Sequence, residues 1–291
     1  MFGVSHYFYR QKNQTMRLFL IFSFLFITIT ANAQKSEPRL LLNKGQKLTV
    51  KTSSSQDADM GMGMEMKNAS SSSYNLVVLD ADKENYTVSN TLTGLKLLVD
   101  FMGQSTNYDS DKKEDADSEL GKSVKNLNVP DTFIISKNTA TVTYNKKADT
   151  TTTDGSNPFE SMFESLSNND NRIADELFMV IPSGIKNGDK WYDSSSTESI
   201  KSVKEYELQS VENGIATIRT FIKVDNNSQV ELQGMQVTIS MSTQSTGSII
   251  ADTKTSIVSK RTAKAQINGS LELMGQTMNV TGSSVSTTTV E

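Results

Sequence analysis

Val203–Val224 reads VKEYELQSVENGIATIRTFIKV. Two runs of β-type alternation, Val203–Val211 and Ile215–Val224, flank Glu212-Asn213-Gly214. Asn-Gly supplies the two left-handed residues that the tightest hairpin turns need, so this stretch predicts an antiparallel hairpin. The same signature recurs outward in both directions. Leu48–Thr52 alternates, and Tyr74–Leu79 and Tyr86–Leu92 flank the turn-rich Asp80–Asn85. Past Gly94, Leu95, Leu97, Val99 and Phe101 fall on one face of an extended strand. Phe133–Ser136 pairs with Thr139–Tyr144, and Val230–Ser242, Gly247–Ile257, Lys260–Leu273 and Met278–Val290 continue the antiparallel run. Glu231-Leu-Gln-Gly-Met235 is echoed by Glu272-Leu-Met-Gly-Gln276, which reads as shared hairpin chemistry.

One region follows a helical period instead. Asn157, Pro158 and Glu160 make a start signal, and Phe159, Met162, Phe163 and Leu166 follow at helical spacing. A second short helix is expected over Asp170–Met179, stopped before Pro182. Asp109–Glu119 and Lys146–Ser156 read as solvated loops. The expected fold is therefore mainly β: a curved antiparallel sheet or half-barrel, with one or two short helices at about 157–179 packed against it.

The beginning of the chain reads as a leader. Met16-Arg17 precedes the twelve-residue apolar run Leu18–Ile29, and Ala31-Asn32-Ala33 offers a cleavage site before Gln34. Twelve residues fall short of the roughly 20 needed to cross a bilayer, and no later apolar run is longer. Residues 1–33 are thus expected to be an upstream extension and signal peptide, with 34–291 a single β-rich domain. The expected location is periplasmic or secreted. Gln34 stands where a lipoprotein carries its acylated cysteine, so that route to a lipid anchor is closed.

Beyond residue 33 the chain holds no cysteine and no histidine, since His6 is the only one. Losing Arg10, Lys12 and Arg17 leaves 26 basic against 33 acidic residues, a net charge of −7. Such a chain has no electrostatic reason to bind nucleic acid. Cysteine–histidine and serine–histidine–aspartate catalysis lack their members, so no enzyme and no cofactor are expected. Two S-x-x-K matches, at Ser110 and Ser183, have no partner motifs. The acidic run from Asp109 fails the calcium-loop pattern, with Lys113, Glu114 and Leu120 at loop positions 5, 6 and 12.

Met60, Met62, Met64 and Met66 alternate with Gly61, Gly63 and Glu65. In one extended strand they would share a face at steps of about 6.8 Å. An apolar core or cavity wall is the favoured reading, which makes these four the candidate ligand-binding residues. Thioether binding of Cu(I) is the alternative. In Ile181–Trp191 (IPSGIKNGDKW), Gly188-Asp189 reads as a tight turn delivering the single post-leader tryptophan into a core at a strand start.

Three of these elements, Pro182…Gly188-Asp189-Lys-Trp191, Tyr108-Asp109-Ser110 and Tyr206-Glu-Leu208…Gly214-x-Ala216, resemble a family of secreted proteins of about this chain's length. It comes chiefly from the Bacteroidetes and has no established activity. The resemblance implies no catalytic residues. Its strand-rich pattern with a helical insert is similar to the open curved sheets of periplasmic lipoprotein and lipid carriers. The expected function is non-enzymatic: an envelope or secreted protein holding a lipid, another apolar ligand or a partner in the concave face of its sheet. Cu(I) handling and a structural interaction module are the alternatives. N-terminal sequencing of exported protein is expected to begin at Gln34; a retained leader would overturn that reading.

Overall fold

A computed structural model describes residues 38–291 apart from 62, 119–120, 123, 125, 145–172, 233–234 and 274. Its strands are β1 (Lys47–Asp59), β2 (Glu65–Ala81), β3 (Asn85–Phe101), β4 (Gln104–Asp109), β5 (Pro130–Ser136), β6 (Val142–Tyr144), β7 (Lys190–Ser196), β8 (Ile200–Glu212), β9 (Ile215–Leu232), β10 (Met235–Asp252), β11 (Val258–Leu273) and β12 (Gln276–Val290). Two short helices, α1 (Lys113–Ala116) and α2 (Ile173–Leu177), interrupt them. Among the described residues all twelve strands form one antiparallel sheet in the order β6-β5-β3-β2-β1-β12-β11-β10-β9-β8-β7, with β4 paired to the free half of β3. The sheet does not close into a barrel, as the sequence predicts.

The turns form where the residue types demand. Asn213 and Gly214 take φ of 50° and 81° between β8 and β9, the left-handed pair that the Asn-Gly signal implies. Gly188 takes φ 89° and Asp189 N–H bonds Lys186 O at 2.9 Å, so the turn delivers Trp191 to the start of β7. The paired E-L-x-G-x echo is two hairpin tips, with Leu232 opposite Met235 and Leu273 opposite Gln276.

Some boundaries differ from expectation. Val230–Ser242 is not one strand but straddles the β9–β10 tip. β1 and β2 continue through Ser53–Asp59 and Glu65–Ser73, where hydroxyl and amide side chains give no apolar alternation. Asp109–Lys112 leads into α1 rather than remaining loop throughout. The expected helix at 157–166 lies outside the described residues, and α2 is the described part of the second.

A strap at the start of the described chain shows how strongly the sheet curls. Leu40 N–H donates to Lys137 O at 2.7 Å, beyond β5, and the next amide, Leu41, donates to Thr255 O at 3.0 Å, in the β10–β11 turn. β5 and β11 are five inter-strand steps apart, about 24 Å in a flat sheet. Two neighbouring residues with Cα atoms about 3.8 Å apart bring those acceptors within roughly 10 Å. The strap is held further by Leu42 N–H to Tyr86 Oη at 3.0 Å.

Inside this closed end lies the main core. Leu40, Val50, Leu76, Val88, Ile135 and Leu177 are almost wholly buried, with α2 packed among them. Phe178 bridges Ile257, and Met179 N–H bonds Ser256 O at 2.9 Å. A second cluster, around Ile218, Ile249, Ala251 and Val258, continues the core toward β8.

Glycines on the same inner face permit tight inter-strand approach. A Cβ added at Gly247 would lie 2.1 Å from Thr262 O, at Gly269 2.1 Å from Ser240 O, and at Gly282 2.7 Å from Asp57 O. Such contacts are impossible for any other residue without moving the neighbouring strand, the signature of glycine at a sharp sheet bend. Gly269→Ala is expected to destabilise by about 1–3 kcal/mol or more, the range for overpacking. At Gly94 the added Cβ meets nothing nearer than 3.7 Å, so Gly94→Ala should shift stability by less than about 1 kcal/mol. Denaturant melts of the two variants measure the contrast.

Candidate functional site

The methionine stripe does not form one face of a strand. β1 ends at Asp59 and β2 begins at Glu65. Between them Met60 N–H bonds Met64 O at 2.9 Å and Met64 N–H bonds Gly61 O at 3.0 Å. Gly61 and Gly63 take φ of 75° and 78°. The alternation is a turn: the glycines provide left-handed geometry, not a thin strand face. Met60, Met64 and Met66 are half-buried, and Met62 lies outside the described residues. Met66 alone sits in a strand, opposite Ala58 on β1 and Phe101 on β3.

The turn nevertheless joins a wider pattern. Met102-Gly103 forms the β3–β4 tip, Met235 opens β10 after the β9–β10 tip, and Met278 lies near the start of β12 beside the β11–β12 tip. All four tips lie at the end of the sheet opposite the strap. Neighbouring strands therefore supply this rim with the further methionines that a single strand lacks.

Pairing register assigns the inner face between strap and rim. Beside the main core, Thr52, Ser54, Gln56, Asn68, Ser70 and Ser72 occupy it on β1 and β2. Ser286 and Ser284 on β12, Ala263 and Ala265 on β11, and Ser245 and Gly247 on β10 extend this belt. Thr52 and Ser72 hydroxyls pair at 2.6 Å and Ser54 and Ser70 at 2.8 Å. Most of these side chains are half-exposed and all are small or uncharged. Toward the rim the same face becomes apolar, with Val99, Val237, Ile239, Met241, Ile267, Leu271, Met278 and Val280. The inner face is thus apolar at both ends and not in the middle, where hydroxyl, amide and methyl side chains line it.

Arg261 stands at the boundary between core and belt. It lies on the inner face of β11, opposite Ile249 and Thr288. Its Nη1 is 4.0 Å from Glu176 Oε1 of α2, too long for a charge-assisted hydrogen bond. The other Glu176 oxygen accepts from Thr288 Oγ1 at 3.2 Å. The Arg261 Nε is buried and has no hydrogen-bond partner. Sequence reasoning missed it. Period-two reading of Arg261, Ala263, Ala265 and Ile267 would have shown one charge on an otherwise uncharged face.

Trp191 stacks on Tyr206 with ring centroids 5.3 Å apart and planes 20° from parallel. Tyr206 is buried, which raises its phenol above the usual value, while the Arg261 charge opposes that rise. Trp191 itself is half-buried rather than buried as expected, because β7 is an edge strand and covers nothing further out.

The outer face is solvated and charge-paired. Arg219 bonds Glu207 and holds its carboxyl below the usual range, as Lys190 does for Glu205 at 2.6 Å. Exposed pairs like these contribute little to stability. A polar groove of about 500 Å³ runs along Asp57, Asp59, Lys67, Gln266 and Asn268 near the rim. Among the described residues no three acidic, histidine or cysteine side chains converge as a metal site. No helix among them is long and apolar enough to cross a membrane.

Residues 171–258, from the approach to α2 through the first residue of β11, match a family of unknown function (DUF6263). Two of the three elements that suggested a family without known activity fall inside that match. No curated protein matches the chain. Among solved structures, one concerned with lipid–protein interactions in lipovitellin is similar over 86% of this chain and 25% of its own, at 10% identity and a TM-score of 0.49. The chain therefore spans a quarter of that protein's length. An outer membrane channel from Pseudomonas putida F1 matches over 90% of this chain and 100% of its own, at 8% identity and a TM-score of 0.20.

Because Trp191 packs on one side only, Trp191→Ala is expected to cost about 2 kcal/mol, below the 3–5 kcal/mol of a fully enclosed aromatic. Met66→Leu should change stability by less than about 1.5 kcal/mol. Circular dichroism melts in denaturant test both.

Proposed function

We propose that this chain is an exported, non-catalytic binding protein that holds an amphipathic ligand, with a long apolar part, against the inner face of its sheet. The observation that carries this reading is the graded lining of that face. A closed, fully packed end gives way to a belt of uncharged, mostly small hydroxyl, amide and methyl side chains, and the belt to an apolar zone bounded by methionines. Small side chains leave room above the strands, and concave surfaces of this kind suit ligands that bury most of their area. Methionine at the rim fits apolar chains of varied shape, because its thioether arm is unbranched and adaptable.

The leader-like residues 18–33 support export. The lack of histidine and cysteine after residue 33 supports binding over catalysis, since the commonest general bases and nucleophiles are missing. The acidic net charge argues against nucleic acid as the partner.

Native mass spectrometry of protein purified from its own host is expected to show a co-purifying amphiphile. Delipidated protein should bind a fluorescent long-chain fatty acid. Ala265→Trp, which fills the middle of the belt, should weaken that binding by at least about tenfold, or 1.4 kcal/mol, without loss of the folded circular dichroism spectrum. Protein that carries no ligand and binds no such probe would overturn the reading.

A further inference from the structure

Across the seven central strands β3, β2, β1, β12, β11, β10 and β9, Arg261 is the only charged strand residue on the inner face among those described. A guanidinium on such a surface needs compensation, because burying an unpaired charge or donor is costly. Glu176 gives only part of it. The carboxylate stands 4.0 Å from Nη1, its other oxygen is taken by Thr288, and its side chain remains 42% exposed. Nε is left without an acceptor. Arg261 also sits where the packed core ends and the small-residue belt begins, with Ala263 and Ala265 leading away from it along β11.

We infer that Arg261 is the head-group residue of the inner face, binding the oxyanion, carboxylate or phosphate, of an acidic amphiphile whose chain runs along the belt toward the methionine rim. This rests on the binding function proposed above. A planar guanidinium with several donors matches an oxyanion in forked geometry. The orientation follows from the lining. The head group meets Arg261, the one charge that the described residues of the seven central strands present to this face, beside the Thr288 hydroxyl. Six residues farther along β11, about 20 Å away, the chain reaches Ile267 and the apolar zone. That span accommodates a long acyl chain. The reverse orientation would place a charged head among Val280, Leu271 and Met278 and leave Arg261 facing hydrocarbon.

The test compares three probes on the full exported protein: hexadecanoate, hexadecanol and inorganic phosphate. Each is measured by displacement of a bound fluorescent fatty acid. Hexadecanoate is expected to displace at least about tenfold more strongly than hexadecanol, and phosphate alone only weakly. Arg261→Gln should remove the advantage of the acid while leaving hexadecanol unchanged, and Arg261→Lys should restore part of it. Glu176→Gln, which frees the guanidinium from its distant carboxylate, should strengthen the acid. A merely structural ion pair predicts instead that both Arg261→Gln and Glu176→Gln lower the melting temperature and leave probe preference intact. Equal displacement by acid and alcohol would overturn this assignment and leave the binding function standing. Binding of neither would overturn both. Phosphate matching hexadecanoate would overturn the amphiphile in favour of a free-anion site.

Discussion

Two consecutive amides hold the closed end of this sheet. Leu40 and Leu41 donate to carbonyls beyond β5 and in the β10–β11 turn, groups that a flat arrangement would keep far apart. That constraint converts a long ribbon of strands into a trough with an inside and an outside. Without it the apolar residues of β1–β3 and β8–β11 would face the same side but have nothing to pack against. With it they surround α2 and the strap, and the core has a lid at one end only. Glycines at 247, 269 and 282 serve the same curl from within the strands, by removing the side chains that tight approach would collide with.

The inside and outside then acquire different chemistry. Outside, charges alternate with hydroxyls and pair across strands, as at Lys190–Glu205, which keeps a broad sheet hydrated. Inside, the described residues of the central strands carry no charge apart from Arg261, and the side chains of the belt between core and rim are mostly small. That uncharged face of mostly small side chains leaves room beside the core that the charged outer groove does not offer to an apolar chain.

Much of the architecture is legible in the sequence because hairpins announce themselves. Asn213-Gly214 and the two E-L-x-G-x tips each carry the residues that left-handed turns require, and apolar alternation marks the strands around the core. The legibility ends where burial ends. Ser53–Asp59 and Glu65–Ser73 are strands whose two faces are both polar, so no period is visible in them. Met60–Met66 misleads for the opposite reason. Its period of two is that of a strand, yet the intervening residues are glycines, which accept the positive φ of a turn at no steric cost. Of the candidate site, the methionines were visible and their common rim was not, since the rim is assembled from four tips far apart in sequence. Arg261 was masked by the abundance of Lys and Arg on neighbouring outward positions, such as Lys260 and Lys264.

The placement of β12 has a kinetic consequence. The sheet consists of two sequence-continuous halves, β1–β6, in which β5 skips β4 to pair with β3, and β7–β12, a simple meander; they join along one seam where Val50–Asp59 pairs with Thr281–Val290. Both partners of that seam are rich in Ser and Thr, so little hydrophobic attraction draws them together. The seam closes a loop of more than two hundred residues. Contacts of such sequence separation form late, because the entropy of loop closure must be met before they contribute. Until they do, each half exposes an unprotected edge ten residues long, to which the other half of a second copy would bind just as well. The polar seam is therefore the place where two unfinished copies would pair with each other if they met before closing.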